Sequence, residues 1–388
     1  MKQFLIIIML TCLASIVFAE DSNLEEISLD KLLRDYLPDC KIEKKVILDG
    51  KCYDFAIAKE TGDILVVTGK EDSRAVYLYD KKGNLKWEKN YEFCNMLVKC
   101  QISDNGSASV ITKYGEMNTN VVFDENGNIM FEEMKFALYL KPSPDGQYFY
   151  FISYIKEGPG EGIFIYDRSG KKLTVTGYDF AKERRIKPVF LYHNKVIVYM
   201  DSKIVFFDFV DGKFNLLSEY ELGHNYSFNP NFQQMTFFND KYIMISKYNV
   251  SSPSFLFDYN GNLIKEYPGY KAADFINEDE IIIGAHSRDK SYIKRINLSN
   301  NKAINYNYPF KGGIYLMSVA DFDDYIIISR NSILTPKKDL TSAVFDKKSG
   351  RTVFGIQESI KCSSQNIVFL KQEENVSVLS IMENNNEK

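Results

Sequence analysis

The stretch Phe123-Asp124-Glu125-Asn126-Gly127-Asn128 decides the fold, because relatives of it recur along the chain. In each relative an apolar run precedes an Asp or Asn, and a second short run follows the turn. An Asp at the first turn position accepts a hydrogen bond from a backbone N–H two residues on, and Gly supplies the positive φ that closes a short hairpin loop. The recurrence predicts seven β-hairpins, of which the other six lie at 78–84, 165–171, 206–213, 256–262, 295–302 and 344–351.

The same stretch is also a candidate calcium loop, since it holds two carboxylates, two amides and a glycine. An EF-hand loop closes with a glutamate at its twelfth position. Counted from Asp124, that position is Lys135, which cannot ligate calcium. The stretch is therefore interpreted as a turn, and no metal site is predicted there.

A second element, a polar turn followed by an aliphatic or aromatic run, lies upstream of most hairpins. Together the two elements give units of four short strands, named a to d from inside to outside, that repeat about every 40 to 45 residues. That period is typical of β-propeller blades, which pack face to face around an axis. The second element occurs at 60–69, 143–152, 193–200, 239–246, 278–284 and 323–329.

The two ends of the chain indicate the number of blades. Residues 366–372 and 375–382 have the pattern of strands b and c of one more blade, with no strand d behind them. Residues 44–50 precede the first full blade and could supply the missing strand. The sequence thus favours an all-β fold of eight blades closed by strands from both termini, with seven blades and irregular ends as the alternative.

Two motifs resemble known propellers. Residues 79–87 resemble the blade motif of PQQ-like repeats through Asp80, Gly83 and Trp87, and residues 143–151 resemble the repeat of Tol-type periplasmic propellers. Most of 44–382 therefore resembles the PQQ-like and WD40-like propeller superfamily, and this resemblance implies architecture rather than an activity. Quinoproteins repeat the tryptophan in most blades, whereas Trp87 is the single Trp here, so no quinone and no other cofactor is expected.

The N-terminus predicts export. Lys2, an apolar run over 4–19 and a small-residue exit at 17–19 predict a signal peptide over 1–19, followed by a helix and linker over 20–43, the propeller over 44–383 and a disordered tail over 384–388. We expect a periplasmic or secreted protein without a transmembrane segment after signal cleavage. Lipid attachment at Cys12 is the less favoured alternative, because Met9-Leu10-Thr11-Cys12 fits a lipobox poorly.

The linker contains a helix pattern in which Ser22 and Glu25 form a capping box, Leu24, Ile27, Leu32, Leu33, Tyr36 and Leu37 fall near one face, and Pro38 stops the helix. We expect this helix to pack on the propeller, with binding of a partner as the alternative. Five cysteines remain after signal removal, and this odd number allows up to two disulfides. They are Cys40, Cys52, Cys94, Cys100 and Cys362.

Chemistry-bearing motifs are scarce. His193, His224 and His286 are far apart in sequence and lie in no catalytic motif, so no catalytic residue is predicted. Acidic groups at 278–280 and 321–324 could ligate a cation, but both occupy a–b turns, where Asp favours turn geometry. The net charge of −4 and the lack of a basic block disfavour nucleic acid as a partner.

Loop length predicts where binding occurs. In a propeller the a–b and c–d turns share one face, and here they are tight; the b–c and d–a connections share the other face and include long segments. We therefore expect a binding face around His224, Tyr226, Phe228 and Phe232. The preferred function is an exported non-catalytic scaffold for a protein or an extended ligand. A hydrolase or lyase acting on polysaccharide or peptide at the channel, and a structural component of an envelope complex, are the alternatives.

Overall fold

The computed structural model describes residues 25–70, 73–91, 98–113, 118–135, 139–152, 163–174, 176–180, 187–200, 203–222, 234–247, 253–270, 272–286, 291–307, 317–330, 342–363, 365–372 and 376–383. These residues form antiparallel sheets arranged as blades in a ring. In chain order the strands are β1 (Ile42–Asp49); blade 1, β2 (Lys51–Ile57), β3 (Ile64–Lys70), β4 (Ser73–Tyr79) and β5 (Leu85–Tyr91); blade 2, β6 (Val98–Ile102), β7 (Ala108–Lys113), β8 (Asn118–Asp124) and β9 (Ile129–Lys135); blade 3, β10 (Tyr139–Pro142), β11 (Tyr148–Ile152) and β12 (Ile165–Asp167); and blade 4, β13 (Lys187–Phe190), β14 (Lys195–Tyr199), β15 (Lys203–Val210) and β16 (Lys213–Glu221).

The second half of the ring repeats the pattern. Blade 5 comprises β17 (Gln234–Phe238), β18 (Tyr242–Lys247), β19 (Ser254–Asp258) and β20 (Leu263–Tyr267); blade 6, β21 (Ala272–Phe275), β22 (Glu280–His286), β23 (Ser291–Asn297) and β24 (Ala303–Asn307); blade 7, β25 (Met317–Asp321), β26 (Tyr325–Arg330), β27 (Ser342–Asp346) and β28 (Thr352–Ile356); and blade 8, β29 (Ser359–Cys362), β30 (Asn366–Gln372) and β31 (Val376–Glu383), completed by β1.

Strands from both termini close the ring. β1 pairs antiparallel with β31, from Ile42 opposite Met382 to Asp49 opposite Val376. The inner strand of blade 8, β29, contacts the inner strand of blade 1, β2. The prediction of eight blades with strand d of the last blade supplied by the N-terminus is confirmed. Blade 3 differs from the other seven, because three strands of it lie among the described residues.

The turn at Asp124 closes a hairpin, as predicted. Its Oδ1 accepts hydrogen bonds from the backbone N–H groups of Asn126 (2.9 Å) and Asn128 (2.8 Å), and its Oδ2 accepts one from the Asn128 side chain (2.9 Å). Both carboxylate oxygens are thus committed to N–H donors. Gly127 has a φ of +79°, and a Cβ there would lie 2.7 Å from the indole of Trp87 in the preceding blade. The glycine therefore serves both the turn and the packing of one blade against the next.

Blade 4 confirms the hairpin predicted at 206–213 but places its turn elsewhere. Asp208 lies inside β15 and accepts a hydrogen bond from Lys195 Nζ on the neighbouring strand, so it does not close the turn. The turn is instead the pair Asp211-Gly212, both at positive φ (51° and 81°), between Val210 and Lys213. A two-residue loop of this kind matches the twist of the flanking strands and needs no Asp three residues earlier.

The core lies between the blades. Strands b and c contain continuous apolar runs, such as 64–67 in β3, because both faces of a blade are covered by neighbours. Leu65 and Val67 of blade 1 pack with Ile111 and Phe123 of blade 2, for example. Each seam buries its own cluster, so the ring is held by eight contacts of similar kind.

The N-terminal helix packs on its own propeller, as expected, but begins later than predicted. α1 (Leu29–Tyr36) is capped by Ser28, whose Oγ accepts a hydrogen bond from Lys31 N. Ser22 lies outside the described residues. The segment before the cap is extended and pairs in parallel with the outer edge of blade 7, through Ile27 N–H to Gly355 O (3.0 Å). The backbone groups of this segment therefore bond to a neighbouring strand, whereas the prediction placed them in the first turn of the helix.

Leu29, Leu32 and Leu33 of α1 are buried against blades 7 and 8. Cys40, Cys52, Cys100 and Cys362 are free thiols, so the expected disulfides do not form among them. Cys94 lies outside the described residues. No helix among the described residues is long and apolar enough to cross a membrane.

Candidate functional site

The predicted binding face cannot be placed. His224, Tyr226, Phe228 and Phe232 lie within 223–233, outside the described residues, and so do the long connections 156–162 and 331–341. The binding face on the long loops therefore stays a prediction.

A cavity of about 910 Å³ opens at the other end of the ring, where the a–b turns converge. In a propeller each inner strand ends at its a–b turn, so the first residues of successive turns meet around one axis. We call this cavity the channel mouth. The turn residues that line it come from blade 1 (Lys59, Glu60), blade 4 (Tyr192), blade 5 (Asn239, Asp240), blade 6 (Asn277, Glu278), blade 7 (Phe322, Asp323) and blade 8 (Ser363). Residues from inner strands, chiefly Phe238, Asp274, Phe275, Ala320, Asp321 and Cys362, form its wall.

The mouth is acidic. Its lining includes two lysines, Lys59 and Lys347, and six carboxylates, which are Glu60, Asp240, Asp274, Glu278, Asp321 and Asp323. Of the acidic groups that the sequence analysis places in the turns 278–280 and 321–324, Glu278, Asp321 and Asp323 line this one opening, and Asp321 is the last residue of strand β25 rather than part of the turn. No group of three or more His, Cys, Asp or Glu side chains among the described residues is arranged to hold a metal ion.

Lys347 is engaged by blade 7. Its Nζ donates to the Asp321 carboxylate (2.8 Å) and to the carbonyl of Phe322 (2.9 Å). Burial raises the pKa of Asp321, and Lys347 opposes this shift. The ammonium of Lys347 is thus held against the wall rather than presented to the opening.

Lys59 occupies an aromatic corner. Its Nζ lies 4.6 Å from the centroid of the Phe238 ring, and Tyr192 packs edge-on against the same ring at 5.1 Å. The Tyr192 hydroxyl donates to Asp104 Oδ2 (2.8 Å). An ammonium over a ring face is stabilised by the ring quadrupole, so this wall already holds one cation of the chain itself.

Asp274 is the carboxylate on the inner strand of blade 6, whereas Glu60, Asp240, Glu278 and Asp323 sit on turns. Burial raises the pKa of Asp274 to about 6, although Lys59 and a hydrogen bond from Phe275 N–H oppose the shift. At the rim, burial and the nearby charges of Asp104, Asp240 and Asp145 raise the pKa of Glu60. Both shifts indicate carboxylates crowded into a poorly solvated space.

The described wall offers no activated nucleophile. Cys362 lines the mouth, but burial raises the pKa of its thiol, so the thiol is protonated at neutral pH. His193 lies in the a–b turn of blade 4, exposed and edge-on to Tyr259, and is not part of the lining.

Sequence reasoning missed this mouth because it treated tight turns as architecture alone. A usable signal was present: the a–b turns begin with Glu60, Asn239, Glu278 and Asp323, and propeller symmetry directs turn starts to the axis. What the sequence could not supply was which of these side chains share the opening, since that depends on ring closure.

No family model and no curated protein matches the sequence. Among solved structures, BamB from Moraxella catarrhalis is similar at 13% identity and a TM-score of 0.53, covering 88% of this chain and 99% of that one. The Dos1 propeller is similar at 12% identity and a TM-score of 0.51, covering 88% and 95%. The chain therefore has the architecture of a β-propeller. At these identities the likeness concerns the fold alone.

Proposed function

We propose that this propeller is an exported, non-catalytic scaffold that binds a segment of a partner protein in the channel mouth. The single observation that carries the proposal is the open cavity of about 910 Å³, which is framed by turns of six blades. Its volume is in the range of ligand-binding clefts, and is large enough for several side chains of an extended segment.

The rim is preorganised for binding. Asn239, for example, closes its turn by accepting hydrogen bonds from the backbone of Lys241 (2.9 Å) and Tyr242 (2.8 Å), and its amide donates to the carbonyl of Asn277 in the next blade (3.2 Å). Because such turns are already ordered, a ligand loses little affinity to ordering the receptor. Binding through the long loops on the opposite face is compatible with this proposal and stays a separate prediction.

Two neighbouring aspartates test the location. Asp323 lines the mouth, whereas Asp324, the next residue of the same turn, does not. Both side chains are exposed, so tryptophan at either position is compatible with folding. We expect Asp323→Trp to abolish recovery of the partner in affinity purification from the native host, and Asp324→Trp to leave it intact. Equal recovery with both variants would contradict binding at the mouth.

Export is part of the proposal and is supported by the signal-peptide pattern over 1–19. N-terminal sequencing of the protein from its host should give a mature chain that begins near Glu20. A mature chain that retains Met1, or that begins with an acylated Cys12, would contradict cleavage at this site.

A second candidate, the channel hydrolase or lyase, is favoured by one observation. An aspartate with a pKa of about 6 among other carboxylates resembles a general acid. This candidate predicts that the protein cleaves oligosaccharides or peptides and that Asp274→Asn removes the cleavage. Binding without turnover by the wild-type protein supports the scaffold instead.

A further inference from the structure

We infer that the segment held in the channel mouth is basic, and that an Arg or Lys side chain of the partner enters toward Asp274. This inference rests on the proposed function and adds the chemistry of the ligand. It is carried by the cavity, its charge and its aromatic wall taken together.

The first step is the charge left available in the mouth. Lys347 is bound to Asp321 and to a carbonyl, and Lys241 outside the cavity pairs with Glu278. Among the described residues, the carboxylates of Asp240 and Asp323 have no hydrogen bond or ion pair within the chain. The opening therefore presents negative charge that the protein itself does not neutralise.

The second step is the repulsion among these carboxylates. The proximity of Asp104, Asp145 and Asp240 to Glu60 favours any positive charge that enters, whether a proton or a ligand cation. A cation placed between them is attracted strongly, because the walls of a cleft exclude water and concentrate the field. An anionic segment would meet the same field with the opposite sign.

The third step is the wall. The Phe238 ring, against which Tyr192 packs edge-on, already holds the ammonium of Lys59, so this corner stabilises a cation next to Asp274. Phe275 and Phe322 continue the wall and offer apolar surface to the aliphatic stem of a long basic side chain. A basic side chain thus meets a carboxylate at its head and aromatic surface along its stem.

The fourth step is the reach of the ligand. Asp274 lies on β21, while Asp240 and Asp323 lie on turns at the rim. A single basic side chain directed inward contacts Asp274, and flanking basic residues of an extended segment contact Asp240 and Asp323. Several spaced basic residues should therefore bind more tightly than one.

The experiment uses the full-length mature protein and three fluorescent nonapeptides of Gly and Ser, in which every second residue is Arg, Glu or Ser. Fluorescence anisotropy at pH 7.5 should show binding of the Arg peptide, at least tenfold weaker binding of the Glu and Ser peptides, and weakening by salt. Asp323→Lys should weaken the Arg peptide about tenfold, and the matched Asp324→Lys less than twofold. Asp274→Asn should weaken it by at least fivefold.

Each outcome decides the inference. Equal binding of the Glu or Ser peptide, or no binding of any peptide, overturns it. An equal loss for Asp323→Lys and Asp324→Lys overturns it too, since binding would then follow total charge rather than the mouth. If the partner is lost with Asp323→Trp while the Arg peptide fails to bind, the scaffold stands and its basic ligand is wrong. If Asp323→Trp retains the partner, the proposed function itself fails.

Discussion

Replacing Asp274 by Asn should stabilise the fold while it weakens the site. The folded-state pKa of about 6 lies above the ordinary value of 3.8 that applies to the unfolded chain. One pKa unit corresponds to about 1.4 kcal/mol. The difference of about two units therefore gives up to about 3 kcal/mol, and about 1 to 3 kcal/mol once the water that reaches this half-buried side chain is allowed for.

The sign follows from proton binding. Between pH 3.8 and 6 the folded state retains the proton of Asp274 and the unfolded state releases it, so the stability of the wild type falls as pH rises through this window. The amide introduced by Asp274→Asn cannot titrate, and its oxygen can still accept the hydrogen bond from Phe275 N–H. The variant should match the wild type near pH 4 and exceed it by the full amount above pH 6.

Urea unfolding followed by circular dichroism at pH 4, 5, 6 and 7.5 measures this difference. Asp323→Asn at the exposed rim is the control, and its effect should stay within about 0.5 kcal/mol at every pH. A constant difference between Asp274→Asn and wild type across the pH range, or a less stable variant at pH 7.5, would refute the reasoning. The opposite effects on stability and on binding of the Arg peptide would mark Asp274 as a residue kept for the site.

Three further predictions concern the ring and the mouth. Asp124→Ala should lower the free energy of unfolding by about 1 to 2 kcal/mol, because the N–H groups of Asn126 and Asn128 lose their acceptor, whereas the neighbouring Glu125→Ala should change it little; thermal unfolding measures both. Leu32→Ala, at a fully buried position of α1, should cost about 2 to 4 kcal/mol in the same assay, with Arg34→Ala at an exposed position of the same helix as control. A loss below about 1 kcal/mol would show that the helix is not part of the core. Iodoacetamide at pH 8 should leave Cys52 and Cys100 unmodified in the native protein and label them in urea, since both are buried and burial raises the pKa of both thiols; peptide mass spectrometry that finds either one in a disulfide would contradict their free state.

Local chemistry made much of the fold predictable. The Asp and Gly of the repeated turn act within five residues, so Asp80, Asp124 and Asp258 could be recognised as hairpin closures without any tertiary information. Asp208 does not close its hairpin, because the neighbouring pair Asp211-Gly212 forms a tighter turn. The sequence pattern alone does not show which of two possible turns in one stretch forms. Ser28 was missed for a similar reason, since the extended pairing of the residues before it depends on the distant edge strand β28.

The sequence by itself determined the repeat, the four-strand unit and the closure of the ring by β1 and β31. These features depend on the repeat period, the turn residues and the hydrophobic pattern, all of which can be recognised in short stretches of sequence. Only the tertiary structure decided the site, because Glu60, Asp240, Asp274 and Asp323 are separated by large stretches of chain and meet only when the ring closes. No single blade creates the electric field that these carboxylates share, the burial that raises the pKa of Asp274 or the aromatic corner around Lys59. Each of these arises only when several blades pack around the axis.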